Sequence, residues 1–401
     1  MRLNVLALSY LFPNLAQPGY GIFVLNRLRA VSRYCHVKVI APIQWYPFIR
    51  KLRSSFWSGD IPHHEQREGM DVFHPRFVVI PRYMKWLDAL TFLFAASKVA
   101  RNLRRDGYDY DVVDVHWTYP DVVAGWFLAR RYGRKFGVTV RGHEALYDTE
   151  FTVRRWLVSF FLRRADFVVP LSEELAAKVV ALGVDPKRVR VILNGVDLSH
   201  FSYVDAAAAR NGLGLDPGRK VLLSVGRLTA GKRHDHLVRM MPALPQNTDV
   251  DLYIVGGVNP EDDFGHQLRK MIDELGLTNV HLVDSVSHEK LRLWYGAADV
   301  FCLATRGEGC PNVVLEALAC GAPVVVTRVG AVEELVKQGI NGMLVDLDAD
   351  FGKPVAQALA TQWDRRQIAE RMRQWGWDAC AQQVIKVYDA ALSAELSESR
   401  N

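Results

Sequence analysis

The chain has 401 residues, a length that suits two packed cores, and its 49% apolar and 23% charged content excludes a disordered or fibrous protein. Its five cysteines (Cys35, Cys302, Cys310, Cys320 and Cys380) are scattered without a C-x-x-C pair, which excludes a disulfide framework or thiolate zinc site and fits a reducing compartment. The net charge of +6 is uneven: residues 1–200 carry 29 Lys/Arg against 18 Asp/Glu, and residues 201–401 carry 21 against 26.

A basic first half can attract a diphosphate, anionic lipid or nucleic acid, or it can simply be a solvated arginine-rich surface. The apolar start, Met1 to Asn14, lacks a small-residue cleavage site and reads as a first buried strand. The longest apolar run, Leu90–Ala96, is too short for a membrane span, so a cytoplasmic location is expected.

In chain order, strands are expected at Leu3–Tyr10, His36–Pro42, Val72–Ile80, Asp111–Trp117, Phe136–Gly142, Asp166–Ser172 and Val189–Gly195. Helical patterns fall between them at Gly21–Tyr34, Asp121–Tyr132 and Thr152–Arg164. The second half repeats the rhythm with strands at Lys220–Arg227, Asp251–Gly257, Val280–Val286, Asp299–Thr305, Pro323–Val329 and Gly342–Asp346. These runs are continuously apolar, as in parallel sheets covered on both faces, and strand–helix alternation indicates βαβ units. The expected fold is therefore α/β, with two doubly wound parallel-sheet domains. The pattern lapses between Asp197 and Arg219, which places domains at residues 1–200 and 201–375 and a terminal helical segment at 376–401.

Ligands of open α/β sheets sit beyond the carboxyl ends of the strands, so the turns there carry the chemistry. After the strand ending near Leu303 comes Glu308-Gly-Cys-Pro-Asn-Val-Val-Leu-Glu316, where Pro311 suits a first helical position and Gly321 a C-cap. The two carboxylates, about 7–8 Å apart along the axis, could hold a sugar ring and a ribose, with phosphates at the positive helix end between them. By spacing alone they read equally well as surface glutamates. The turn Gly226-Arg227-Leu-Thr-Ala-Gly-Lys232 offers a guanidinium fork and an ammonium to a diphosphate, or is a solvated loop. In Gln17-Pro-Gly19-Tyr-Gly21 the glycines would admit a phosphate to a helix start. No G-x-G-x-x-G fingerprint occurs, which disfavours a dinucleotide oxidoreductase. His116, Tyr119, Arg141, His143 and Asn194 also follow strands, where histidines can shuttle protons or bind hydroxyls.

Together, Val225-Gly226-Arg227-Leu228 with Lys232, Ala298-Asp299-Val300, and Glu308-Gly-x-Pro-Asn-Val-Val-Leu-Glu316-Ala-Leu-Ala-x-Gly-x-Pro323 resemble family 4 of the retaining GT-B glycosyltransferases. The match is dense from about Val221 to Asp346 and looser through Pro18–Val24, His116–Pro120 and Asn194–Asp197. The resemblance implies two Rossmann-like domains facing across a cleft, with the last helix returning to the first domain. It implies transfer of a sugar from a UDP- or GDP-sugar with retention, without a metal or other cofactor. Arg227 and Lys232 would clamp the diphosphate, with Glu308 at the donor sugar as the third catalytic residue and Glu316 on the ribose. Gly21, Gly226, Asn312 and Val313 would line the donor, and His116 and Tyr119 the acceptor. Members commonly carry His-Gly where this chain has Arg141-Gly142, so Arg141 is expected at the donor, with His143 beside it, but not as a proton shuttle.

Aromatics mixed with cations at Trp45–Trp57 and from Arg82 to Arg105 suggest contact with an anionic membrane surface and a polyprenyl-linked or other glycan acceptor, as in surface polysaccharide synthesis. They read equally as a core helix with a basic exterior. No nucleic-acid partner is expected. The residues also leave open a sugar-nucleotide epimerase, or a GT-B-shaped binding protein without turnover.

Overall fold

The computed structural model describes residues 2–45, 61–79, 87–142, 152–245, 249–257 and 264–398. Residues 46–57, residues 82–86 and His143, all singled out above, lie outside these. The chain divides into two compact units, one of residues 1–194 with 377–401 and one of residues 195–376.

The first unit runs β1 (Asn4–Leu8), α1 (Ile22–Val31), β2 (His36–Ile40), β3 (Ile43–Trp45), β4 (His64–Arg67), β5 (Met70–Phe73), β6 (Arg76–Val78), α2 (Asp88–Arg105) and β7 (Val112–Val115). It continues with α3 (Asp121–Tyr132), β8 (Lys135–Val140), α4 (Thr152–Leu162), β9 (Phe167–Pro170) and α5 (Glu173–Ala181). Its strands, among the described residues, form one sheet in the order β4-β5-β2-β1-β7-β8-β9 and a small β3–β6 pair. All pairings in the large sheet are parallel except β4–β5.

Three details depart from the sequence reading. The expected strand Val72–Ile80 breaks into β5 and β6 at Pro75, which has no N–H for a ladder. Strand β4 is polar and was not anticipated. Its hairpin to β5 turns on Glu68 and Gly69, both at positive φ (51° and 75°), the requirement of a two-residue turn. The segment Val189–Gly195 is not a strand: it touches β9 through a bridge at Val168–Val189 and through amides of Arg190 and Ile192 to carbonyls of Val168 and Pro170.

The second unit holds α6 (Ala206–Leu213), β10 (Lys220–Val225), α7 (His234–Met240), β11 (Val250–Val255), α8 (Phe264–Glu274), β12 (Val280–Val283), α9 (His288–Ala297) and β13 (Val300–Leu303). Next come α10 (Asn312–Ala319), β14 (Val324–Thr327), α11 (Val332–Leu335), β15 (Gly342–Val345), α12 (Gly352–Ala360) and α13 (Arg365–Arg371). The described strands form a parallel sheet ordered β12-β11-β10-β13-β14-β15, a doubly wound arrangement whose order reverses between β10 and β13. The stretch where the sequence pattern lapses belongs to this unit and contains α6, capped by the Asp205 carboxylate on the Ala208 amide.

The last helix, α14 (Trp377–Glu398), packs into the first unit. Trp377, Cys380, Ala381, Val384 and Tyr388 join the buried cluster of Leu25, Leu28, Val31 and the inner faces of β1 and β2. In the second unit a separate cluster gathers Leu222, Leu237, Leu252, Ile254, Val300 and Val325. Hydrophobic burial at about 25 cal/mol per Å² drives both.

Tight contacts at strand ends leave no room for side chains at certain glycines. A Cβ on Gly256, just past β11, would lie 1.9 Å from the carbonyl oxygen of Gly226, just past β10. That obstacle is backbone and cannot swing aside. Gly256→Ala is expected to cost about 1–3 kcal/mol, a fall of several degrees in melting temperature, by overpacking. Gly257→Ala, whose Cβ would meet Ser285 at an ordinary 3.7 Å, is the control and should leave the melt nearly unchanged.

Candidate active site

The carboxyl ends of β10 and β13, neighbours at the reversal of strand order, launch the two loops that carry the expected donor residues. The loops are tied together. The Gly231 carbonyl accepts from the Arg306 amide at 2.9 Å and from the Thr305 hydroxyl at 3.3 Å. Lys232 Nζ donates to Glu308 Oε1, with both side chains largely shielded at 27% and 17% exposure. Arg227 opens the same loop; it is exposed, and its guanidinium has no partner among the described residues.

A third loop, after β14, fixes Glu308 from the other side. Gly330 sits at φ +60°, where its Cβ would be 2.2 Å from the Glu308 carbonyl oxygen, and the Ala331 amide donates to the Gly309 carbonyl at 3.0 Å. Thr327 Oγ1 donates to the Thr305 carbonyl at 2.7 Å. These ties join three separate loops, so no single segment of the sequence displays them.

Pro311 proves to be the N-cap of α10 rather than its first residue, and no side chain caps the helix start. Asn312 and Val313 are half-buried in its first turn. Glu316, in the second turn, accepts a hydrogen bond from the Tyr295 hydroxyl at 2.8 Å. Tyr295 is fully buried on α9. Burial pushes the Glu316 carboxyl up to about 7, so near neutrality it is poised between acid and anion. Beneath Gly226, His234 is fully buried with Nδ1 3.2 Å from Ser224 Oγ, and burial depresses it to about 4. It therefore adds bulk but no charge beside the two cations. Tyr295 and His234 were not found from the sequence: Tyr295 lies on α9, away from the strand-end turns, and His234 is the first residue of α7, just past the turn that ends at Lys232.

In the first unit the order reverses between β1 and β7, and the other expected residues lie at those ends. Gly21 is the N-cap of α1 at φ +70°, and its Cβ would press within 2.5 Å of the Leu11 carbonyl oxygen. Arg141 is 6% exposed. It donates to Asn194 Oδ1 at 3.2 Å and to His116 Nδ1 at 2.8 Å, and its guanidinium lies over the Phe23 ring. An arginine only donates, so His116 Nδ1 is the acceptor and the ring proton sits on Nε2, 3.1 Å from Asp114 Oδ2. Burial lowers the His116 pKa below its ordinary value, in keeping with this neutral ring. The Tyr388 hydroxyl of α14 completes the chain at 2.5 Å from Asp114 Oδ2.

His116, expected at the acceptor, is thus sealed from solvent and turned toward Arg141 and Asp114, because its strand end lies under the returning helix. Tyr119 is half-buried, follows the sheet into a cis bond with Pro120, and carries the Arg154 guanidinium over its ring. Among the described residues no group of three or more His, Cys, Asp or Glu could hold a metal, and no helix is long and apolar enough to cross a membrane.

Comparison with known proteins matches this layout. The family model Glycosyltransferase Family 4 covers residues 28–200, and Glycosyl transferases group 1 covers residues 205–375. D-inositol 3-phosphate glycosyltransferase 2 of Catenulispora acidiphila is 31% identical over 315 residues, spanning 72% of this chain and 73% of its own. A glycosyltransferase of Methanocaldococcus jannaschii is 26% identical over 83% of this chain and 88% of its own. Among solved structures, sucrose-phosphate synthase of Thermosynechococcus elongatus superposes with a TM-score of 0.78 at 22% identity, covering 98% of this chain and all of that one. HepE of Anabaena, solved with UDP and glucose, gives 0.72 at 19% identity, covering 97% of this chain and all of that one. The chain has the GT-B fold and belongs to glycosyltransferase family 4, with the group 1 glycosyltransferase domain as its second unit.

Proposed function

We propose that the protein transfers a sugar from a UDP- or GDP-linked donor to a hydroxyl of a glycan or lipid-linked acceptor, with retention at the anomeric carbon and no metal. The observation that carries this reading is the pairing of Lys232 with Glu308 across two tied loops at the reversal of the second sheet. A cation and a carboxylate fixed side by side can receive a phosphate and a sugar hydroxyl at the same time. The relatives named for D-inositol 3-phosphate and the HepE complex with UDP point the same way. D-inositol 3-phosphate itself is a reasonable first acceptor to try.

In this reading Arg227 and Lys232 take the diphosphate, and Glu308 orients both Lys232 and the donor sugar. As the bond from the anomeric carbon to the leaving phosphate oxygen breaks, the acceptor oxygen attacks from the same face and passes its proton to that phosphate. The cations matter because negative charge grows on the leaving group, and preorganised donors favour that state over the ground state. Two charges held by the protein take the part a divalent ion plays in other phosphate sites. Glu316 binds the ribose hydroxyls with the carboxylate oxygen that Tyr295 leaves open.

Lys232→Ala is expected to lower kcat/KM about 10²–10³-fold, most of it in kcat, in steady-state transfer assays, with Arg227→Ala smaller because its side chain is exposed. The same assay in EDTA should keep full activity, and anomer-resolved NMR of the first-formed product should show the donor's configuration. An inverted product or loss of turnover in EDTA rejects the corresponding part of the proposal.

Glu316 supplies a pH test. Its raised pKa means the carboxyl is protonated below about 7 and must lose that proton to accept from ribose, so donor affinity should rise with pH through about 7. Each pH unit below costs up to about tenfold. Calorimetric titration with intact nucleotide sugar, which has no phosphate titrating near 6, should show this slope, and Glu316→Gln should flatten it. An equal slope in both proteins would remove the ribose role.

A further inference from the structure

Strand β7 reads Val112-Val113-Asp114-Val115, a carboxylate inside an apolar run, and all four residues are buried. An aspartate in a strand covered on both faces breaks its pattern and is costly unless it is fully paired. Here the pairing is partial. Asp114 Oδ2 lies 3.1 Å from His116 Nε2 and accepts from the Tyr388 hydroxyl at 2.5 Å, but Oδ1 meets no donor among the described residues. Burial works to raise the pKa of this carboxyl, yet His116 and Tyr388 hold it below its ordinary value, so Asp114 stays an anion. Buried ionic groups seldom add net stability, so packing gives no reason for a carboxylate at this position.

The reason lies on the far side of His116. Arg141 directly follows β8 and is buried, with its guanidinium 5.2 Å from the ring centre of Phe23, in the first turn of α1 after Gly21. It donates to His116 Nδ1 at 2.8 Å and to Asn194 Oδ1 at 3.2 Å. An imidazole offers a lone pair at Nδ1 only while its proton sits on Nε2, and a carboxylate facing Nε2 keeps the proton there. Tyr388 in turn holds the oxygen that faces the ring. Arginine does not release a proton in proteins, so the chain relays none from Arg141. What it does is fix orientation.

The other buried guanidinium near Asp114 does not account for the carboxylate. Arg27 donates to the carbonyls of Ile192 and Leu193, each at 2.9 Å, and not to Asp114.

We propose that Asp114, His116 and Tyr388 are positioning residues for glycosyl transfer: they act through Arg141, holding its guanidinium where it meets the donor. Arg141 does so as a contact of the nucleotide sugar proposed above, on which this positioning role rests. A cation displaced from its place loses most of its effect on charge that develops in the transition state. The last helix of the chain thereby enters the reaction through a single hydroxyl.

The test is a double-mutant cycle on kcat in steady-state transfer assays of the full chain, with melting temperatures measured alongside. Arg141→Lys keeps the charge but loses the planar fork, and should lower kcat about 10–100-fold. Tyr388→Phe and Asp114→Asn should each lower kcat about tenfold alone, but less than about twofold when added to Arg141→Lys, because they act through that side chain. Tyr388→Phe, which removes one oxygen, carries the cycle if Asp114→Asn melts low. Val384→Ala, one turn earlier on the same buried face of α14, is the control: it should lower the melting temperature and leave kcat within about twofold. Nitrogen-15 NMR of the His116 ring should show it neutral with its proton on Nε2. A proton on Nδ1 leaves no lone pair for Arg141 and overturns the proposal. So does an undiminished effect of Tyr388→Phe in the Arg141→Lys protein, or an unchanged kcat in Arg141→Lys itself. A loss of kcat in Val384→Ala equal to that in Tyr388→Phe also overturns it, since helix packing would then be the cause. Failure of the donor reading shows separately, as Lys232→Ala with full activity, and the ring tautomer is read without any turnover.

Discussion

The contact on which the rest of this protein turns is the tie between the loops that leave β10 and β13. Parallel strands deliver their carboxyl ends to one edge, but only at the reversal of strand order do neighbouring loops diverge to opposite faces and open a crevice. Here the crevice is bridged at its mouth by the Gly231 carbonyl and by Lys232 on Glu308. An ion pair of this partial exposure contributes only about 1 kcal/mol to stability. Its weight lies in placement: each member keeps the other from relaxing into solvent, so the ammonium is held in the position that the proposed diphosphate contact requires.

Around that tie, backbone packing does what side chains cannot. Gly256 presses against Gly226, and Gly330 presses against Glu308, so the loops that carry the charges are held by neighbouring strand ends rather than by their own sequence. Glu316 is held differently. Removal from water pushes its carboxyl up to about 7, against the hydrogen bond from a buried tyrosine that favours the anion, a state set by surroundings drawn from α9 as well as α10.

The first unit depends on the end of the chain. Tyr388 of α14 reaches Asp114, Asp114 faces His116, and His116 accepts from Arg141, which also holds Asn194. A buried polar chain of this kind is costly unless its members satisfy one another, and it fixes the orientation of Arg141 from a residue 247 positions further along the sequence. Arg27, also buried, adds to the same seam by donating to the carbonyls of Ile192 and Leu193, each at 2.9 Å.

By itself the sequence determined the class of fold and the family. Continuous apolar runs and their spacing specify parallel βαβ units locally, and Glu308 to Glu316 lies within one loop and helix, so both are written in neighbouring residues. It also located the strand-end turns where Arg227, Lys232 and Glu308 sit. It did not reveal that Val72–Ile80 breaks at Pro75, although Pro75 and the Glu68-Gly69 turn were visible signals. Only the tertiary structure decided that Lys232 meets Glu308, that Tyr295 lifts into contact with Glu316, and that His116 is sealed behind Arg141 beneath the returning helix. Those facts depend on contacts between residues 21 to 274 positions apart, and no local pattern encodes a burial that another part of the chain supplies.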